Sequence, residues 1–131
     1  MMRRRIPLAL GLLAALAQCW ALYSPGSPEP RFSIPVPGAD KIVHVLLFAV
    51  PVALLLHARV LRRIVLPIAL LQIVVSEIVQ ELWIPYRGGE LGDALADLVG
   101  IGLGVLGAAC GTRGWGHARA TRRGRSPVRA P

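Results

Sequence analysis

Four apolar stretches, separated by clusters of arginine, proline and glycine, divide the chain. Hydrophobic residues run from Ile6 to Tyr23, 18 positions with Gln18 the strongest interruption. A bilayer core needs roughly 20 apolar residues to be crossed by a helix, so this run suffices. Pro7 falls in its first turn, where the missing amide hydrogen costs little. The second stretch goes from Ile42 to Leu56, and extends to Leu61 if Arg59 turns its guanidinium towards the headgroups. The third, Ile64 to Pro85, is the longest at 22 residues, although Gln72, Ser76, Glu77, Gln80 and Glu81 interrupt it. The fourth runs from about Asp93 to Cys110 and is rich in Gly and Ala. The pattern predicts an all-α, polytopic membrane protein: a bundle of four transmembrane helices at about 6–23, 42–61, 64–85 and 93–110.

Composition supports this reading. Of 131 residues 54% are hydrophobic and only 17% charged, yet the net charge is +8. A soluble domain of this length is seldom so apolar, so the charge must be segregated from the apolar mass. A disordered chain, a disulfide scaffold and a conventional soluble enzyme are excluded. Short basic loops stay cytoplasmic. With the N-terminus inside, Arg3, Arg4, Arg5, Arg59, Arg62, Arg63, Arg113, Arg119, Arg122, Arg123, Arg125 and Arg129 share one side, which is 12 of the 15 basic residues. All seven acids then fall in outer loops or outer halves of helices. Both termini are therefore expected in the cytoplasm, with the protein in a bacterial cytoplasmic membrane.

Residues 1–111 form the membrane domain in this reading. Ser24 to Gly38 carries Pro25, Pro28, Pro30, Pro35 and Pro37 and should be an extended outer linker. Residues 112–131 lack apolar positions for a core and are expected to be a disordered basic cytoplasmic tail. Anionic lipid is a nearer partner for it than nucleic acid, which is not expected to bind. Residues 1–23 also share a basic start and apolar run with signal peptides. Against cleavage, Gln18 stands before Cys19 where a small residue is expected, and the apolar run continues to Tyr23. Cys19 and Cys110 belong near opposite membrane faces, too far apart for a disulfide.

Ionisable groups in hydrocarbon cost about 2.5–3.5 kcal/mol each on insertion scales, so each needs a reason. Asp40 and His44, spaced i, i+4, share a face at the outer start of the second helix, with Lys41 beside them. Glu77, Gln80 and Glu81 occupy one sector of the third. Asp93 and Asp97 share a face of the fourth, after Arg87 in the preceding turn. A shared cluster at one depth is the economical arrangement: Lys41 and Arg87 would neutralise two carboxylates and His44 would bond a third. Gly100, Gly104, Gly107 and Gly111 would let another helix approach closely. The alternative for Asp40 and Asp93 is a capping role at helix starts, for Glu81 a simple reach to the interface, and for Glu77 and Asp97 a buried structural pair. Trp20, Trp83 and Tyr86 sit where interfacial belt residues belong.

The order Asp40-Lys41-x-x-His44-x-x-x-Phe48, Glu77-x-x-Gln80, Pro85-x-Arg87 and Asp93-x-x-x-Asp97-x-x-Gly100-x-x-x-Gly104 resembles the VanZ-like family of small bacterial membrane proteins. The resemblance covers roughly residues 6 to 110. It departs at Asp97, where the family typically has Asn, which adds a potential charge. The resemblance implies a cell-envelope protein linked to antibiotic resistance, against glycopeptides and notably lipid-tailed ones such as teicoplanin. The family has no agreed catalytic activity to carry over.

Two functions follow as expectations. In the first, Asp40, Lys41, His44, Glu77, Gln80, Arg87, Asp93 and Asp97 form an outward-facing cluster that engages an outer-leaflet amphipathic ligand. A lipid, a cell-wall lipid intermediate or a lipoglycopeptide would suit it. In the second, carboxylates and His44 serve an intramembrane hydrolase or transferase through a metal or by acid and base. Paired-histidine metal spacing, a serine nucleophile arrangement and a phosphate-gripping glycine loop are lacking. No catalytic residue, metal or cofactor is therefore assigned. Proton or ion conduction is disfavoured because no ionisable group continues the path inward. Four short helices bury little surface between them, which leaves homo-oligomerisation open.

Overall fold

The computed structural model describes residues 2–26 and 38–123, with side chains for 5–26 and 38–111. Four helices follow in order: α1 (Met2–Tyr23), α2 (Ala39–His57), α3 (Arg62–Trp83) and α4 (Leu91–Arg123). Among the described residues there is no strand. Each helix contains a segment long and apolar enough to cross a membrane: Arg5–Tyr23, Ala39–His57, Arg62–Trp83 and Leu91–Gly111. The chain is a multi-pass membrane protein. A small core of Leu22, Phe48, Val52, Val65, Ile73 and Ile101 holds the helices together. Large apolar side chains such as Leu16, Ile68 and Leu106 point outward, over 60% exposed, as lipid-facing residues do.

Helix α2 starts at Ala39, ahead of the apolar run, because Asp40 in its first turn complements the positive helix end. It stops at His57, short of Leu61. There the amide of Val60 donates to the Leu55 carbonyl at 3.0 Å and that of Arg59 to the Leu56 carbonyl at 2.9 Å. This pair of bonds closes a helix through a left-handed residue, and Arg59 fills that place at φ 66° where glycine is usual. Helix α4 continues to Arg123, through a segment whose composition led us to expect disorder. Extending a nucleated helix is cheap, and the alanines and arginines there favour it without needing a core. The tail beyond residue 123 and the linker residues 27–37, with Pro28, Pro30, Pro35 and Pro37, lie outside the described residues.

Helices α2 and α4 make the most intimate pair. Lipid tails are as apolar as leucine, so hydrophobicity alone does not join helices here and close packing must. A Cβ on Gly104 would meet the Ala49 carbonyl at 2.7 Å and the Val52 Cβ at 2.9 Å, and one on Gly100 would collide with the Val45 carbonyl. Gly100 opposite Val45 and Gly104 opposite Ala49 keep the same register, so the two helices run parallel. The seam continues through buried Ala108 to Gly111, beside the His57 ring. Gly107, expected on this seam, faces open space. It lies one residue before Ala108, about 100° round the helix.

Three outcomes are expected in detergent thermal unfolding. Gly104→Val should destabilise by about 1–3 kcal/mol through forced separation of α2 and α4. Gly102→Val, on a face with no neighbours within 4 Å, should change stability by no more than about 0.5 kcal/mol. Arg59→Gly should raise the midpoint, by relieving about 1 kcal/mol of left-handed strain.

Candidate functional site

The polar groups of α2 and α4 meet across the glycine seam as two successive rungs. Lys41 and His44 lie one turn apart on α2, and Asp93 and Asp97 one turn apart on the parallel α4. In the first rung the Lys41 ammonium donates to Asp93 and, at 2.9 Å, to Oε2 of Glu90. It also pairs with Oδ2 of Asp40 at 3.0 Å. Three carboxylates thus share one ammonium, which relieves the repulsion they would otherwise exert at a membrane surface. Single oxygens of Asp40, Glu90 and Asp93 all lie within 4.8 Å of one another, a spacing that a cation can bridge. The lysine side chain already bonds all three, so the protein supplies that cation itself.

The second rung is buried. Nδ1 of His44 stands 2.9 Å from Oδ1 of Asp97, and Nε2 stands 3.6 Å from Oδ2 of Asp93. With Asp97 ionised, Nδ1 carries the proton and donates it. Asp97 is fully buried and His44 9% exposed. At 1.5 Å per residue, Asp97 is about 9 Å along α4 from Leu91. Its other oxygen, Oδ2, has no hydrogen-bond partner among the described residues.

Gln80 and Arg87 complete the expected cluster in different ways. Gln80, 2% exposed, donates from Nε2 to the Leu22 carbonyl at 2.9 Å. That carbonyl is one of the last four of α1, which have no partner within their own helix, so Gln80 caps α1 from α3. Arg87 lies in the α3–α4 turn, held near by the contact of Gly26 with Pro85: the Gly26 amide donates to the Pro85 carbonyl at 3.1 Å. A side chain on Gly26 would collide with the Tyr86 carbonyl, so glycine is required there. Among the described residues the Arg87 guanidinium has no ion-pair partner. It lines, with Asp40, Val43, His44, Gln80 and Asp93, a cleft of about 290 Å³ at this end of the bundle.

Glu77 lines a second opening. It borders a groove between α3 and α4 with Glu81, Leu82, Gly89 and Leu91. Its Oε1 is buried with no hydrogen-bond partner among the described residues. Glu81, expected simply to reach the interface, accepts the Gly89 amide at 2.9 Å and so shapes the turn. The eight expected residues therefore divide: Asp40, Lys41, His44, Asp93 and Asp97 form one bonded network, Gln80 and Arg87 border its cleft, and Glu77 borders the α3–α4 groove, close enough to His44, Asp93 and Asp97 to feel their charges without a bond to any of them. Sequence reasoning omitted Glu90 because it precedes α4 among glycines and reads as a loop acid. It also missed a second polar link within the membrane, where Gln72 Nε2 donates to the Tyr23 hydroxyl at 3.0 Å. The signal was there in the amide of Gln72 amid apolar residues and in Cys19 and Tyr23, one turn apart on α1.

His44→Ala should destabilise by about 3–5 kcal/mol, because it strands the buried Asp97 carboxylate. Asp97→Asn keeps an acceptor for His44 and removes the charge, so it should cost less than about 1.5 kcal/mol. A denaturant titration of both variants and their double mutant in detergent micelles would measure the coupling. Comparison of the chain with known proteins returns no matching family, no similar curated protein and no similar solved structure.

Proposed function

We propose that this end of the α2–α4 pair binds the charged group of an amphipathic molecule in the adjoining leaflet. The chain would then act as a VanZ-like protein of the bacterial cell envelope, contributing to resistance against teicoplanin and related glycopeptides. The observation that carries the reading is the cleft itself. It offers the guanidinium of Arg87, which has no ion-pair partner among the described residues, beside the carboxylates of Asp40 and Asp93 and the imidazole of His44, with the apolar Val43 in its wall. A ligand head bearing both charges and an apolar tail in the bilayer would satisfy such a site. The segregation of arginines to the other end supports an outward-facing cleft and cytoplasmic termini. The ordered motif residues on α2, α3 and α4 support the family reading.

A second reading is an intramembrane hydrolase or transferase acting on a lipid or cell-wall intermediate. It is favoured by two buried carboxylate oxygens that have no hydrogen-bond partner among the described residues, Glu77 Oε1 and Asp97 Oδ2, which are available to hold a proton or a hard cation. Activity lost with a bound metal on Glu77→Gln would select this reading.

The deciding experiment is the growth-inhibition threshold for teicoplanin and vancomycin in a susceptible host. Wild type, Arg87→Ala and Glu77→Gln would be compared at matched membrane abundance. Wild-type protection should be greater against the lipid-tailed drug and should be lost in Arg87→Ala. An absence of protection at matched abundance withdraws the antibiotic reading. Protection that survives Arg87→Ala removes the cleft from it.

A further inference from the structure

The opposite end of the bundle carries a second feature, independent of the polar cleft. Helices α1 and α3 touch least of all the pairs in contact. Between them, floored by α2, lies an apolar groove of about 330 Å³. That is many times the roughly 30 Å³ a water occupies, and its walls give water almost nothing to bond. Leu8, Leu12 and Ala15 form one wall, Leu55 part of the floor, and Val65 and Ala69 the other wall. Polar atoms enter only at its deep end, at Gln18, Cys19 and Gln72. Within a bilayer such a space is filled by a hydrocarbon chain.

Arginines stand where the two walls reach the basic end. On α1 the lining positions Leu8, Leu12, Ala15 and Cys19 recur at helical spacing, and Arg5 continues that series by three residues. On α3 the lining positions Val65, Ala69 and Gln72 are headed in the same way by Arg62. Arg59 adjoins Val60, another residue of the groove. All three arginines are exposed, and among the described residues none is in an ion pair. No acid stands in the first turn of either α1 or α3, so the fold does not neutralise them from within. Arg63 heads a different face, that of Pro67, Leu70 and Val74, which is exposed and does not line the groove.

We propose that the α1–α3 groove is a binding site for an anionic phospholipid. One acyl chain lies between the two helices and the phosphate is held by Arg5 and Arg62. Apolar walls and a cationic rim at one end match the two parts of that molecule, whereas a zwitterionic lipid would bring its own cation to an already cationic rim. Each arginine close to an anionic headgroup should contribute about a fivefold preference.

The test uses the full chain reconstituted in phosphatidylcholine vesicles holding a minority of phosphatidylglycerol, with chain-spin-labelled phosphatidylglycerol or phosphatidylcholine as the probe. Electron spin resonance reads the motionally restricted fraction. Wild type should retain the phosphatidylglycerol probe preferentially. Arg5→Gln and Arg62→Gln should each lower that preference by about fivefold, with Arg63→Gln almost without effect. Ala15→Phe, which fills the groove and leaves the charges intact, should reduce the restricted fraction. An equal loss in Arg63→Gln would mean diffuse surface attraction and overturn the site. So would a wild type without preference, or an unchanged restricted fraction in a folded Ala15→Phe protein. Should Ala15→Phe fail to fold by circular dichroism, the contrast of the exposed Arg5 and Arg62 with Arg63 decides alone.

Discussion

The approach of α2 to α4 across Gly100 and Gly104 is the contact on which the other polar features depend. Lipid supplies no water to satisfy a stray carboxylate and no hydrophobic drive to press helices together. Removing side chains at two successive turns lets the α4 backbone meet the carbonyls of Val45 and Ala49. At that spacing Lys41 reaches Asp93, and His44 reaches Asp97 at 2.9 Å. The packing and the ion pairs are mutually dependent. Without the glycines the rungs would not span the gap, and without the rungs the acids on α4 would be stranded in hydrocarbon. Such buried pairs add less to stability than their number implies, because desolvation offsets the attraction. Their strongest effect is on register, since only the parallel, in-step arrangement satisfies both.

Helix α3 is attached differently. It has no comparable seam, and two amides do much of the fastening to α1: Gln80 to the Leu22 carbonyl and Gln72 to the Tyr23 hydroxyl. Because these links cluster towards one end, the helices stand apart elsewhere, and grooves open on both sides of α3. One lies beside Glu77 and Glu81, the other between the apolar walls of α1 and α3. In a soluble protein spaces of this kind would be expensive voids. In a bilayer they are lipid or ligand positions, and their lining determines which molecules fit.

The two ends of the bundle therefore present opposite chemistry. Carboxylates from α2, α3, α4 and the α3–α4 turn, with Lys41, His44 and Arg87 among them, occupy one end. Arg5, Arg59, Arg62 and Arg63, without ion-pair partners among the described residues, occupy the other. Arg59 takes a left-handed position usually given to glycine and thereby adds charge to the basic end. At Asp97 the acid and amide alternatives would preserve the bond to His44 but differ in charge, so this chain bears a potential negative charge in a fully buried position.

Several features were legible in the sequence because they depend on local pattern. The number and approximate limits of the helices follow from apolar run length. The one-turn separation of Asp93 and Asp97 follows from rise per residue, and the facing of Asp40 with His44 from helical periodicity. The partner of the α4 glycines was not legible, because small residues announce close approach without naming the helix that approaches. Nor was the division of the eight polar residues. The third helix carries Glu77 and Gln80 in one sector, but α3 lies at an edge of the α2–α4 pair, so Gln80 turns to α1 and the cleft while Glu77 enters the groove beside α4. The early stop of α2 at His57 came from a backbone motif that arginine does not advertise. Which residues carry charge was determined by the sequence alone, whereas which charges meet, and which remain unpaired beside a cleft or groove, was decided by the packing of non-adjacent helices.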